Sequence, residues 1–322
     1  MKRRQLIQAA SAALGMPGLA LAQGFPAKPI RYIVPVAPGG GNDMIARVVT
    51  ERWGQALGQA FVVDNVSGGG GVVACQTTMR APADGYTLLQ GYVATHGTTP
   101  ATRKVSYDAI KDFTPIGMIG ATPNVLAINA NVPAKTVAEF IDYVRKNPGK
   151  VSYGSAGQGS LTHLTMELFK QATGAFMLHI PYRGIAPAIN DLIGGQTQAM
   201  FPGLAAALPH LRSGRMRALA VTGKQRSAQI KDVPTMEEVG FKGFDAMQWY
   251  GSVGPAGIPP DVVKHLNETQ VAALKAPDLA EKLSSEAVEP WPMSPEQFGQ
   301  YIKAEVARWT ALAKARNIQL DE

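Results

Sequence analysis

The apolar positions of this chain change their period several times, and each change marks an element. Residues 30–36 form a β-branched apolar run closed by Pro38-Gly39-Gly40-Gly41-Asn42-Asp43, after which Ile45, Val48, Val49 and Trp53 recur at helical spacing up to Gly58. This reads as strand, glycine loop, helix. Residues 60–64 make a second short strand, 68–71 a second glycine loop, 72–80 a helix, and 86–93 a third strand beyond the turn Ala83-Asp84-Gly85. Strands alternating with helical stretches predict βαβ units and a mainly parallel sheet.

A second alternating set starts near Thr122. Apolar runs at 125–128, 151–154, 177–181, 197–201 and 217–221 read as strands, separated by helical periods at 136–146, 160–173, 186–193 and 204–213. From Trp249 the chain passes through Gly254-Pro255-Ala256-Gly257 into helical segments at 259–274, 278–285 and 295–317, with almost no strand signal. Such a tail suits packing back onto the first unit. The expected fold class is therefore α/β, with one lobe from 23–121 plus 248–322 and a second from 122–247, each a mainly parallel sheet flanked by helices.

The N-terminus changes the meaning of the charge. Lys2, Arg3 and Arg4 precede a mostly apolar stretch and then Ala20-Leu21-Ala22, the order of an export signal with a small–x–small cleavage site. Gln8, Gly15 and Pro17 interrupt the stretch, which is short for a membrane span. Arg3-Arg4-Gln5-Leu6-Ile7 also resembles a twin-arginine motif, without the preceding Ser or Thr. The full chain of 322 residues has net charge +7; cleavage after Ala22 leaves 300 residues at +4, because the removed piece holds three bases and no acid. Nucleic acid is thus a poor partner, and a periplasmic protein is expected. The single cysteine, Cys75, excludes an intramolecular disulfide or a Cys-rich metal site, and no cofactor or metal is expected.

Ligands of open α/β sheets sit at the carboxyl ends of strands, where loop amides and helix N-termini converge. Two loops fit: Ala37, Pro38, Gly39, Gly40, Gly41, Asn42 and Asp43, and then Ser155, Ala156, Gly157, Gln158, Gly159 and Ser160. Missing Cβ atoms let a ligand reach the backbone there, and both loops suit a carboxylate. As structural elements, Asp43 and Ser160 are equally well helix N-caps and the glycines mere turns. Arg183, in Pro181-Tyr182-Arg183-Gly184 at a strand's end, can bind a carboxylate or pair on the surface, and Arg183→Ala is expected to weaken organic-acid binding. Gly69-x-Gly71-x-x-Ala74 satisfies the dinucleotide pattern only formally, with no second-strand acid at the usual distance, and no P-loop is present. His96, His163, His179, His210 and His265 lack metal-ligand spacing; His163 stands out, in the first turn of the helix after Gly159. The G-x-S-x-G elbow is absent, since Tyr occupies position 153.

The chain resembles the Bug family, the substrate-binding proteins of tripartite tricarboxylate transporters. The carriers are Pro38-Gly39-Gly40 with Asp43 and Ala46-Arg47, Asn65 with 68–71, Ala83-Asp84-Gly85-Tyr86, Tyr153-Gly154-Ser155 with Gly157 and Gly159-Ser160, His179-Ile180-Pro181-Tyr182-Arg183-Gly184, Leu219-Ala220-Val221-Thr222, Pro234-Thr235, and Pro255-Ala256-Gly257. The resemblance implies a two-lobed periplasmic binding protein of type II-like fold with its ligand cleft between the lobes. It also implies a carboxylate ligand (amino acids, di- and tricarboxylates, aromatic or nicotinate-like acids) and membrane permease subunits as partners. The residues expected in the cleft are those of the first loop, Ser155, Ala156, Gly157, Gly159 and Ser160 of the second, His163, Tyr182, Arg183 and Gly184, together with Thr95, Gln198 and Phe201. Two positions depart from the family: Thr197-Gln198 where an aliphatic residue and Asp are usual, and Val66-Ser67 where a basic residue and Pro are common. A neutral amide at Gln198 leans the expected ligand away from amino acids, toward a dicarboxylate or aromatic carboxylate.

The expectation is a non-catalytic, monomeric receptor closing by a hinge around strands that cross near Thr122 and Trp249. A secreted hydrolase using Ser155 or Ser160 with His163 is the alternative. A cytosolic effector-sensing regulator is disfavoured by the export signal.

Overall fold

In the computed structural model residues 24–319 are described, so the expected export signal lies outside the described residues. Eleven strands follow the chain: β1 (Ile30–Val34), β2 (Phe61–Asn65), β3 (Thr87–Tyr92), β4 (Phe113–Pro123), β5 (Val125–Asn129), β6 (Ser152–Ser155), β7 (Leu178–Pro181), β8 (Ala199–Met200), β9 (Met216–Val221), β10 (Met247–Pro255) and β11 (Glu289–Pro290). They form a six-stranded sheet in the order β11-β4-β10-β3-β1-β2 and a five-stranded sheet in the order β7-β6-β8-β5-β9.

Both sheets are mixed, which corrects the expectation of mainly parallel sheets. β1 runs parallel to β2 and β3, and β6 parallel to β7 and β8, as βα units require. β10 is antiparallel to β3 and β4, β11 to β4, and β5 to β8 and β9. The chain passes between the sheets only from β4 to β5 and from β9 to β10, and the antiparallel pairs gather around these four strands. The strands expected to cross near Thr122 and Trp249 are β4 and β10, paired from Met247 with Pro123 to Pro255 with Phe113.

The sequence hides β4 because Pro115, Gly117, Gly120 and Pro123 read as strand breakers. Gly120 is required by close packing: a Cβ there would lie 2.5 Å from the Glu289 carbonyl oxygen of β11. A Cβ at Gly251 of β10 would collide with the Phe298 ring, so glycine lets helix Pro295–Ala315 lie flat on the sheet. That helix starts from a capping box, Ser294 with Gln297, with Pro295 in the first turn.

The core explains why the tail returns. Trp53, Trp249, Phe298, Ile302 and Trp309 share one cluster with Tyr32 and Leu88, so the C-terminal helices cover the first sheet. The indole N–H groups of Trp249 and Trp309 both donate to Glu305 Oε2, at 3.0 and 3.1 Å, satisfying a buried carboxyl. Two further clusters, around Phe140, Phe169 and Phe201 and around Ala188, Leu192 and Leu204, cover the second sheet. Leu161 and Leu164, from helix Leu161–Thr173 beside the second sheet, are buried in the first cluster. Each contributes about 1.5–3 kcal/mol to holding the two sheet units together. No helix among the described residues is long and apolar enough to cross a membrane.

Candidate functional site

A cleft of about 860 Å³ opens where the loops of the two sheets face each other. Its floor is the strand crossing, with Thr122 of β4 beside its register partner Gln248, and Tyr250 further along β10. One wall carries Gly41 and Asn42, the other Ala156, Gly157, Gly159 and Ser160. Thr122 is 2% exposed and its hydroxyl has no hydrogen-bond partner among the described residues. A buried hydroxyl left unpaired costs about 1–3 kcal/mol, which a ligand group at the floor would recover.

The first loop is fixed from behind. Asp43, 4% exposed, accepts from the Gly39 N–H at 3.0 Å, from Arg47 Nε at 3.0 Å and from Asn65 Nδ2 at 2.9 Å. Burial opposes its ionisation, but the Arg47, Gly39 and Asn65 bonds outweigh burial and hold its pKa below the ordinary value. Asn65 Nδ2 also donates to the Val36 carbonyl at 3.1 Å, tying the loop to β2. Asp43 therefore acts as a scaffold and does not line the cleft. No side chain caps helix Gly41–Leu57, so its first-turn N–H groups and positive dipole end face the cleft.

The second loop satisfies itself. The Ala156 N–H donates to Thr162 Oγ1 (2.8 Å), Gly157 N–H to Ser155 Oγ (3.2 Å), Gly159 N–H to His163 Nδ1 (3.1 Å) and Ser160 N–H to the Gly157 carbonyl (3.2 Å). Beneath it the rings of Tyr153, His179 and His163 stack, the two imidazoles 3.9 Å apart and 5° from parallel. Burial holds both histidines neutral, pulling each pKa down to about 4. Tyr153 Oη donates to Glu167 Oε1 at 2.6 Å, and Glu167 also pairs with Lys170 and with Arg316 from beyond the C-terminal helix. Burial works against ionisation of Glu167, yet these partners outweigh it and hold its pKa at about 2.

This geometry removes the hydrolase alternative. Ser155 Oγ meets His179 Nε2 at 2.7 Å rather than His163, and the serine is fully buried outside the cleft. Ser160 Oγ donates to the Gly157 carbonyl at 2.6 Å and caps the helix, while His163 Nδ1 is occupied by the Gly159 amide. Neither hydroxyl has a base and a path to substrate together.

The remaining expected residues divide clearly. Ala37, Pro38, Gly39 and Gly40 are exposed at the rim and do not line the cleft. Thr95 is buried and bonds the backbone of Tyr92 and His96 Nδ1. Phe201 is a core residue, packed on Phe169 and Phe244. Gln198 Oε1 accepts from the Ser152 N–H at 2.9 Å and its amide donates to the Gly195 carbonyl, so it braces β6. Tyr182 Oη donates to Asp191 at 2.6 Å, Gly184 caps helix Ile185–Ile193, and Arg183 is exposed with no ion pair among the described residues. Sequence reasoning missed Thr122, Arg103 and Glu286, all of which line the cleft. Arg103 ends the short helix Thr99–Thr102, eleven residues after Tyr92 at the end of β3, too far along the chain for the strand-end rule to find it.

Comparisons with known proteins fit this architecture. The profile of the tripartite tricarboxylate transporter family receptor matches residues 45–318. Protein BugT of Bordetella pertussis is 34% identical over 315 residues, covering 96% of this chain and 95% of that protein. A solved periplasmic transporter is 42% identical with TM-score 0.80, covering 92% of this chain and all of its own. R. palustris Rpa4515, solved with adipate, is 36% identical with TM-score 0.79 over 90% of this chain and 97% of its own. MatC from Rhodopseudomonas palustris, solved with bound malate, is 31% identical with TM-score 0.76 over 89% and 99% of the two chains.

Proposed function

Because the chain belongs to the tripartite tricarboxylate transporter receptor family, we propose that it closes around a small organic acid in the periplasm and delivers that acid to the family's membrane permease. It is a receptor and not an enzyme, as its family is. The lobes divide at residues 121/122 and 247/248, β4 and β10 form the hinge, and closure brings the loop 155–160 toward Gly41 and Asn42. Export cleaves the chain after Ala22, and the mature receptor works as a monomer. Relatives solved with adipate and with malate support a dicarboxylate.

The observation that carries this reading is Thr122, an unpaired, buried hydroxyl on the cleft floor between uncapped first-turn amides and a second glycine loop. The ligand carboxylate takes the Gly41 and Asn42 amides, with Arg103 as the available cation. Isothermal titration with adipate, malate and benzoate tests it. One-to-one binding is expected, and Thr122→Val, which keeps the shape, weakens it by about two- to tenfold. No binding of any acid, or affinity indifferent to Thr122→Val, overturns the assignment.

A further inference from the structure

The cleft holds an acid as well as a cation. Glu286 lines it, half-buried, and its carboxylate makes no ion pair or hydrogen bond among the described residues. Its Oε2 lies 3.4 Å from the position a Cβ would take on Gly41, which puts a negative group beside the uncapped first turn of helix Gly41–Leu57. Buried Tyr250 lines the same cleft. A ligand carrying only carboxylates would bring like charge against Glu286 at the very amides that should hold it.

The backbone places Glu286 there deliberately. It ends helix Pro277–Ser285, and the next residue, Ala287, takes a left-handed conformation at φ 52. For alanine that costs about 1 kcal/mol or more. Ala287 is 4% exposed and packs in the cluster of the second sheet with Val125 and Ala188, while Val288 joins the core of the first. The segment is thus clamped from both units, and the acid's position is set by packing.

From these contacts we infer that Glu286 is a specificity-determining residue that reads an ammonium group on the carbon next to the bound carboxylate, so that the ligand is a zwitterionic acid. The inference rests on the organic-acid reading above and narrows it. Carboxylate on the Gly41 and Asn42 amides and ammonium on Glu286 satisfy both charges side by side, and Arg103 remains for a second carboxylate. The lean away from amino acids rested on Gln198, which braces β6 and does not line the cleft.

Matched pairs test this: succinate against aspartate, glutarate against glutamate, adipate against 2-aminoadipate, with malate as the hydroxyl arm, by titration calorimetry on the wild type and Glu286→Gln. The wild type is expected to favour the amino member of at least one pair by about tenfold or more. Glu286→Gln reduces that preference about tenfold, losing the amino acid and gaining the plain diacid, with an unchanged melting temperature showing that the fold is intact. Equal affinity within every pair, unmoved by Glu286→Gln, overturns the role of Glu286 and leaves the organic-acid reading standing. A uniform gain for all acids in Glu286→Gln makes the glutamate a plug and also overturns it. No heat with any acid overturns both readings.

Discussion

Loop 38–43 and loop 155–160 both follow a strand, both open a helix, and both are built around glycines, yet their hydrogen bonds run in opposite directions. In the first, one buried carboxylate, Asp43, gathers Gly39, Arg47 and Asn65 from behind, and the helix end is left uncapped. In the second, Ser155, Thr162 and His163 take up the loop amides, and Ser160 caps the helix. One loop is an open donor surface on a charged brace. The other is a prebuilt wall whose shape depends on neutral side chains. On the proposed reading, a ligand would draw its electrostatic attraction from the first wall and its fit from the second.

The largest break in that contrast is Asp43→Ala. It removes the acceptor that Arg47, Asn65 and Gly39 share, although Asn65 keeps the Val36 carbonyl and Arg47 keeps Asn65 Oδ1, and the expected cost is about 2–3 kcal/mol of stability. Urea unfolding reads that loss, and titration calorimetry should show organic-acid affinity falling by about tenfold or more as the loop loses its set shape. Full stability with intact binding would mean that the carboxylate does not organise the loop.

Acidification should strain the second loop and spare the first. His163 and His179 have folded pKa values of about 4, below the ordinary 6.5, so between these values the unfolded chain takes up protons that the folded chain refuses. Their stabilising effect is complete above pH 6.5 and is lost progressively as pH falls toward 4. Glu167, held at about 2, adds a loss only below the ordinary carboxyl range. Asp43 stays ionised throughout this window, since its pKa is lowered. Stability should drop by about 4–5 kcal/mol from pH 7 to 4.5 if both histidines contribute in full, about half of that for each. Hydrogen exchange, corrected for intrinsic rates, should rise at 156–160 and not at 39–43. An equal rise in both loops would erase the distinction.

What the sequence made legible follows from the same physics. The strand–glycine–helix pattern located both loops, and helical periodicity placed Ser160 as a cap within one residue, because these signals are local. Gln198 and Phe201 flank the short β8, and nothing local says that the first braces β6 while the second packs into the core, because both roles are set by partners distant in sequence. Thr122 and Glu286 were invisible because they come from a Pro- and Gly-broken strand and from the C-terminal tail, and only tertiary packing brings them to one cleft.

The smallest expected effect concerns the two arginines. Arg183 looked like the carboxylate partner from its place after Pro181-Tyr182, yet its side chain is exposed beyond the second loop and does not line the cleft. A carboxylate met there stays in water, where an ion pair contributes roughly 0–1 kcal/mol and weakens with salt. Arg103 is exposed as well, but it lines the cleft together with Gly41 and Asn42, at the uncapped helix end whose dipole adds positive potential. Arg183→Ala should therefore change organic-acid affinity by less than about fivefold. Arg103→Ala should weaken it by about tenfold or more. Titration at low and high salt checks both, and a larger loss in Arg183→Ala than in Arg103→Ala would move the charged wall of the cleft from the first loop to the second.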